Sequence, residues 1–305
     1  MVKRLLDIQA EDLRGLSAKE KLESIKKSEG RVLVSETIGK YTPMLGDISN
    51  AELATAFGAD IILVNLYDCD ENKIQGIDSD KPLKKIKELT NRLVGVNLEP
   101  VYEDNDNDDK DNIWRMTPGR RSTIENVQKL IDQDVDILVL TGNPDTGVTN
   151  EGIYEAIRNI KNHFGDKIII ISGKMHSAGS ISESGSELMD ENIVKNFIDA
   201  GTDIILLPAP GTVPGFDLEK SKNIIQFIHK YGKMSLTAIG TSQEGADTNT
   251  IRQIALNSKM AGTDMHHIGD SGISPGIATP ENIMAYSIAI KGKRHTYRRM
   301  SKRGY

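Results

Sequence analysis

The chain has one cysteine, Cys69, in 305 residues, so it can form no internal disulfide, and no zinc or iron-sulfur site built from several thiolates. It has no apolar run near the roughly 20 residues that a membrane helix needs, and MVKRLLDIQAED at the start lacks the apolar core of a signal peptide. A cytoplasmic protein with no membrane partner is expected. Charge of one sign is missing too: 38 basic and 44 acidic residues are interspersed to a net −6, which gives no global signature of nucleic-acid binding. HExxH and comparable ligand spacings do not occur. The acidic run Asp104, Asp106, Asp108 starts like a calcium loop but lacks its glycine and ends at Arg115 instead of a glutamate, so it reads as a solvated loop.

What is present is a rhythm. Eight short apolar runs each follow a charged residue, and the sign alternates: Arg31, Asp60, Arg92, Asp136, Lys167, Asp203, Lys233, Asp264. The runs (VLVSE, IILVN, LVGVN, ILVLT, IIIIS, IILLP, MSLTA, MHHIG) have the composition of strands buried on both faces. Helical patterns lie between them, so the chain reads as a (β/α)8 barrel, the TIM-barrel architecture. Residues 1–29 are an N-terminal helical extension that plugs the bottom, 30–292 the barrel and 293–305 a basic tail, in one domain. In a closed barrel the alternating starters would pair around the entry rim. Helix starts are expected at Ser17, Ser49, Ser122, Asp190, Asp217 and Thr279, and stops at Gly58, Gly201, Gly232 and Gly262. The triplets Gly58-Ala59-Asp60, Gly201-Thr202-Asp203 and Gly262-Thr263-Asp264 echo a duplicated unit.

Strand side chains alternate between faces, so odd offsets from each starter share one side. Those positions collect Glu36, Asn65, Tyr67, Asn97, Glu99, Thr141, Ser172, Lys174 and His267, whereas the even ones are mostly apolar. The odd set is therefore assigned inward, at the carboxyl mouth where barrel chemistry resides. Glu36 and Glu99 are candidate acid and base, His176 and His267 candidate proton carriers, and Lys174 a candidate either to form a Schiff base with a ketone or, charged, to stabilise an enolate or phosphate oxygen. His266, on an even offset, is expected in the helix layer as a hydrogen-bonded core histidine. Asn65 and Asn97 would orient substrate. The Gly-rich segments after the seventh and eighth strands, with Gly240, Thr241, Ser242, Gly269, Asp270, Ser271 and Gly272, are the expected phosphate cradle, and TGNPDTG after the fourth competes for that role. Arg120 and Arg121, closing the long EDNDNDDKDNIWRMTPGRRS segment, are candidate anion clamps. The same acidic and histidine side chains would also suit a divalent metal such as magnesium, and no cofactor is certain.

The blocks Lys3–Asp7, Ser28–Gly30, Asn50–Ala54, Gly142–Asn150, Gly173–Ser180, His266–Gly272 and Gly292–Met300 resemble an uncharacterised bacterial family of aldolase-type TIM barrels, sometimes labelled phosphoenolpyruvate phosphonomutase-like. That label implies a magnesium-dependent carbon-phosphorus or carbon-carbon lyase. The KKCGH-type loop carrying that superfamily's catalytic cysteine has no counterpart, Cys69 lying in LYDCDEN, so no catalytic residue is carried over. The combined expectation is a lyase or isomerase acting on a small phosphorylated carbohydrate or keto acid through an enolate-like intermediate. The alternatives are a non-catalytic sugar-phosphate-binding sensor that docks a partner through its basic tail, and a metal-dependent hydrolase; a homo-oligomer is a further expectation.

Overall fold

The computed structural model describes residues 2–13, 15–101, 116–142, 147–176 and 188–301. Eight parallel strands close into a barrel in sequential order: β1 (Val32–Ile38), β2 (Ile61–Asn65), β3 (Leu93–Leu98), β4 (Ile137–Leu140), β5 (Ile169–Gly173), β6 (Ile204–Pro208), β7 (Met234–Ile239) and β8 (Met265–Ile268). The chain is a (β/α)8 barrel. Two short helices, α1 (Ala10–Leu13) and α2 (Ala18–Lys26), precede it, and α3 (Asn50–Ala56), α4 (Pro82–Thr90), α5 (Ile124–Asp132), α6 (Asn150–Phe164), α7 (Glu191–Ala200), α8 (Leu218–Lys230), α9 (Thr248–Ala261) and α10 (Pro280–Met300) follow the strands in turn.

The helix signals act as their chemistry dictates. Ser17 and Ser49 each close a capping box with Glu20 and Glu52, and Asp190 and Asp217 each accept the amide three residues on. Thr123, not Ser122, caps α5. Gly201 and Gly262 end α7 and α9 in the left-handed conformation that a side chain resists.

Apolar residues form two layers. Val32, Val34, Ile61, Leu63, Leu93, Ile137, Val139, Ile169, Ile171, Ile204, Leu206, Met234, Leu236 and Met265 fill the lumen, and Leu5, Ile8, Leu13, Ala18 and Ile25 join that cluster from below. The N-terminal helices therefore plug the amino end of the barrel. The other strand face packs against the ring of helices.

The charged starters do not pair with one another around the rim. Instead, the four aspartates share one construction. Asp60, Asp136, Asp203 and Asp264 each accept a backbone N–H from the preceding strand, that of Leu33, Val94, Ile170 and Ser235, at 2.8–2.9 Å. Each also takes a cation from a helix two βα units back around the ring: Lys291 and Arg299 of α10, Lys87 of α4, Lys161 of α6 and His229 of α8. Lys21 of the plug adds a second cation to Asp136 at 2.7 Å. The barrel bottom thus has a fourfold repeat, of which the glycine-to-aspartate triplets are the sequence trace. Arg92 is buried on the carbonyl oxygens of Ala59, Thr90, Asn91 and Arg299, and Arg31 pairs with Glu29.

The same repeat exposes an error of one residue in strand five. The amide that meets its aspartate lies two residues past Arg31, Arg92 and Lys233 but three past Lys167. Lys167 is therefore displaced by one from the true register, and the lumen positions of β5 are Ile169 and Ile171. Ser172 faces the helix layer, where its hydroxyl donates to Thr202. Lys174 has the parity of Ser172 and is buried.

Candidate active site at the carboxyl mouth

A cavity of about 230 Å³ opens at the carboxyl ends of the strands. Its lining includes Glu36, Asn65, Asn97, Glu99, Arg120, His176, Gly240, Ser242, Gly269, Asp270 and Ser271, all expected from the sequence, together with Thr141 of the inward set. Four expected residues outside the lining, Lys174, Arg121, Thr241 and Gly272, are placed differently, and His267 lies one layer beneath.

The alternation fails at two identifiable points. Leu66 has φ +53°, the left-handed region, so the chain turns over directly after β2. Leu66 then reaches the cavity, and Tyr67 swings into the outer layer, where its hydroxyl donates to Asn72 and accepts from Gln133. The Leu66 amide is anchored on Asn65 Oδ1 at 2.8 Å. In strand five the displaced register makes Met175 and His176 lining residues in place of Lys174. Gly173 permits this: at φ +154°, a Cβ there would stand 2.0 Å from the Leu206 carbonyl oxygen.

Arg120 is a wall residue, not an exposed clamp. Residues 116–121 return to the end of β3, where the Glu99 amide donates to the Arg120 carbonyl and the Ser122 amide to that of Glu99. Asp68 holds this return: its carboxylate accepts from Thr117 Oγ1 and from the amides of Asp70 and Glu71. A Cβ on Gly119 would fall 1.9 Å from Asp68 Oδ1, so only glycine fits. Arg120 is thereby buried with its guanidinium on Glu99 Oε1. Arg121 makes backbone contacts here, its carbonyl accepting from Asn126, and lies outside the cavity.

Deeper in, His267 Nε2 lies 2.8 Å from Glu36 Oε2, but off the direction of a hydrogen bond, so neither ring nitrogen has a bonded partner among the described residues. Glu36 is buried at the end of β1, across one strand pair from His267. Asp270 accepts from Asn65 Nδ2 at 3.3 Å and from Ser271 Oγ at 3.1 Å. Burial, with the neighbouring Glu36 charge next, pushes its carboxyl up to about 7. Burial also raises Glu99 despite Arg120, and leaves Glu99 Oε2 without a hydrogen bond among the described residues. The Asn97 amide lies 3.3 Å from Asn65 Oδ1 and within 3.2 Å of the Val139 and Thr141 carbonyl oxygens.

The loops after β7 and β8 are glycine-rich for packing. A Cβ on Gly240 would meet Met175 Sδ at 2.2 Å, and one on Gly272 would meet the Thr279 amide nitrogen at 2.6 Å. The Gly272 amide is already bonded to the Ile277 carbonyl, and the Thr241 hydroxyl bonds the Thr212 carbonyl. Besides Leu66 and Met175, the lining holds a charged residue not expected from the sequence: Glu244, 2% exposed, in the 3-10 turn Gln243–Gly245. A carboxylate inside the Gly-rich segment GTSQEGAD was the available signal.

Three other sequence readings resolve here. Cys69 is buried against Asn126, and burial pushes its thiol up to about 12, which leaves no reactive thiolate. His266 is a neutral core histidine, bonded to the Gly30 carbonyl and Tyr286 and held down at about 3 by burial. Arg299 of the basic tail and Lys291 just before it are inside, on Asp60. Among the described residues no three His, Cys, Asp or Glu side chains converge as ligands for a metal, and no helix is long and apolar enough to cross a membrane. The acidic run 104–108, most of TGNPDTG and the end of GKMHSAGS lie outside the described residues.

A family profile described as "Domain of unknown function (DUF7916)" matches residues 6–304. The chain belongs to the DUF7916 family. No curated protein matches this DUF7916 sequence. Among solved structures, thiamine phosphate pyrophosphorylase from Pyrococcus furiosus is 12% identical with a TM-score of 0.50, the match covering 87% of the DUF7916 chain and 98% of the other. A 2,3-dimethylmalate lyase, described as a PEP mutase/isocitrate lyase superfamily member, is 14% identical with a TM-score of 0.50, over 83% and 80%. These likenesses are those of a shared barrel fold.

Proposed function

We propose that this DUF7916 protein is a lyase- or isomerase-type barrel enzyme that moves a proton next to the carbonyl of a small polar metabolite, through an enolate-like intermediate. The reading rests on one arrangement: Asp270, its carboxyl pushed up to about 7 by burial, and Glu36 line a single small cavity, with His267 2.8 Å beneath Glu36. Glu36, with His267 beside it, takes the proton from the carbon adjoining the carbonyl. The C–H electron pair becomes a C=C bond, and the carbonyl oxygen receives the Asp270 proton. Return of a proton at the neighbouring carbon gives an isomer; for a lyase Glu36 takes instead the proton of a β-hydroxyl, the O–H pair becomes the carbonyl of the leaving fragment, and the Cα–Cβ bond pair becomes the enol C=C as Asp270 protonates the oxygen. Asn65 orients Asp270, and Glu99 with Arg120 forms a second wall that bonds substrate oxygens. Lys174 has no part in this scheme.

The test is proton exchange in D2O, followed by NMR, over a panel of small aldoses, ketoses and 2-keto acids. Wild type should exchange the proton alpha to the carbonyl of at least one member, and Glu36→Gln should exchange it about 10²-fold or more slowly. Thermal stabilisation by a member without any exchange would instead establish the binding-protein alternative.

A further inference from the structure

The sequence places an acidic residue in the middle of the glycine-rich segment after β7, and the structure shows where it goes. The Glu244 carboxylate turns back into the space between the β7 and β8 loops. The position of a Cβ on Gly269 would be 2.8 Å from Glu244 Oε1, so the bare glycine backbone is what makes room for it. Burial raises this carboxyl above its usual range, and the nearby backbone N–H groups of Glu244 itself and of Ser271 oppose that. A bare glycine and neighbouring amides gathered round one acidic side chain mark the type of concave nest in which barrels hold a phosphate. The chain has filled it with its own side chain. Asn282 fixes the turn from behind, its amide donating to the Glu244 and Ala246 carbonyls at 2.8 and 2.7 Å.

The charge of the cavity follows the same direction. Among the described residues, Glu36, Glu99, Glu244 and Asp270 line it, against one guanidinium, Arg120, which is already bonded to Glu99. Asn65, Asn97, Thr141, Ser242 and Ser271 complete a wall rich in hydrogen-bond acceptors. Oε2 of both Glu99 and Glu244 has no hydrogen bond among the described residues. Buried acceptors of this kind ask for donors on the ligand.

We infer that Glu244 is a specificity-determining residue that occupies the anion nest, so that the site takes an unphosphorylated polyhydroxy carbonyl compound and rejects phosphorylated ones. This names the substrate class for the proton-transfer reading given above, and rests on it for the carbonyl; the exclusion of anions stands on the Glu244 geometry alone.

The exclusion is tested without turnover. Inorganic sulfate, a dianion across the working range, is titrated by calorimetry into wild type and Glu244→Gln at pH 7.5, with ribose and ribose 5-phosphate as a matched pair. Glu244→Gln keeps an oxygen for the two amides and removes the charge. The expected result is at least about a tenfold gain in sulfate affinity in the variant, with ribose favoured over ribose 5-phosphate by wild type. Tighter wild-type binding of ribose 5-phosphate, or unchanged or weakened sulfate binding in the variant, overturns the inference. Should that variant not fold, Glu244→Ala takes its place in the same titration at pH 7.5: a gain in sulfate affinity of about tenfold or more is again expected, and unchanged or weaker binding refutes the claim. Loss of proton exchange with intact anion exclusion would sink the catalytic reading and leave this one standing.

Discussion

Asp270→Asn should make the protein more stable at neutral pH while making it a poorer catalyst. In the native cavity the Asp270 carboxyl ionises at about 7, against 3.8 for the free side chain, because it is buried beside Glu36. The sign follows from proton linkage: between pH 4 and 7 the folded chain retains a proton that the unfolded chain has released, so stability falls as pH rises through that window. At about 1.4 kcal/mol per tenfold in proton affinity, a gap of roughly three pH units costs ~4 kcal/mol by pH 7.5. Asparagine resembles the protonated acid and carries no such cost. Its oxygen can accept from Asn65 or Ser271, as the carboxyl does now. For a chain of this size, with about 2 °C in Tm per kcal/mol, the variant should melt close to wild type at pH 4.5 and roughly 8 °C higher at pH 7.5. Calorimetric scans of both proteins at four pH values and constant ionic strength measure the difference directly, and subtraction removes every other titrating group. Parallel curves, with a gap independent of pH, would refute a protonated Asp270. The donor role would then be lost with it.

Other perturbations bear on separate parts of the argument. Asp60→Ala strips the buried Lys291 and Arg299 of their counter-charge and should cost about 3–5 kcal/mol in urea unfolding; a loss under ~1 kcal/mol would mean that those cations reach water. Gly119→Ala should displace Arg120 through the clash with Asp68 at a cost of about 1–3 kcal/mol, and Asp68→Ala in the same chain should recover part of it. Gly173→Ala drives a Cβ into the Leu206 carbonyl of the neighbouring strand and should lower the melting temperature well beyond Gly211→Ala, whose Cβ meets nothing within 4 Å, although both lie at positive φ.

The barrel was legible because each strand is short, apolar and announced by a charged residue, and because inward and outward faces have different composition. Counting by twos placed Glu36, Asn65, Asn97, Glu99 and Thr141 at one mouth. It failed where the backbone leaves the pleat. Leu66 in the left-handed region exchanges the places of Leu66 and Tyr67, and no residue type there signals it, since leucine has no preference for that conformation. It failed again where Lys167 stood for a starter that is really Ile168, one step nearer the strand, which sent Ser172 and Lys174 to the wrong parity. Arg120 was marked by its charge, yet its burial depends on Asp68 and Gly119, distant in sequence and joined only by the fold. Glu244 carries no periodic signal, since it lies in a glycine-rich turn beyond the last strand position, where alternation no longer assigns a direction to a side chain.

The two ends of the barrel treat charge in opposite ways, and that contrast locates the chemistry better than any motif. At the bottom, Asp60, Asp136, Asp203 and Asp264 each have a backbone donor and a basic side chain, so their charges are spent on joining helices to strands. At the mouth, Glu99 and Glu244 each keep an oxygen unbonded, His267 keeps both nitrogens unbonded, and Asp270 is pushed far from its ordinary ionisation, all among the described residues. Unbonded buried polar atoms are costly, each on the order of 1–3 kcal/mol, and a fold that pairs all four aspartates of its bottom has the means to pair the acids of its mouth. That cost is retained where a ligand can offset it. Saturating wild type with the correct small polyol should therefore raise its stability and quiet hydrogen exchange at the ends of β1, β7 and β8, while the amides of Leu33, Val94, Ile170 and Ser235 at the bottom stay as protected as before.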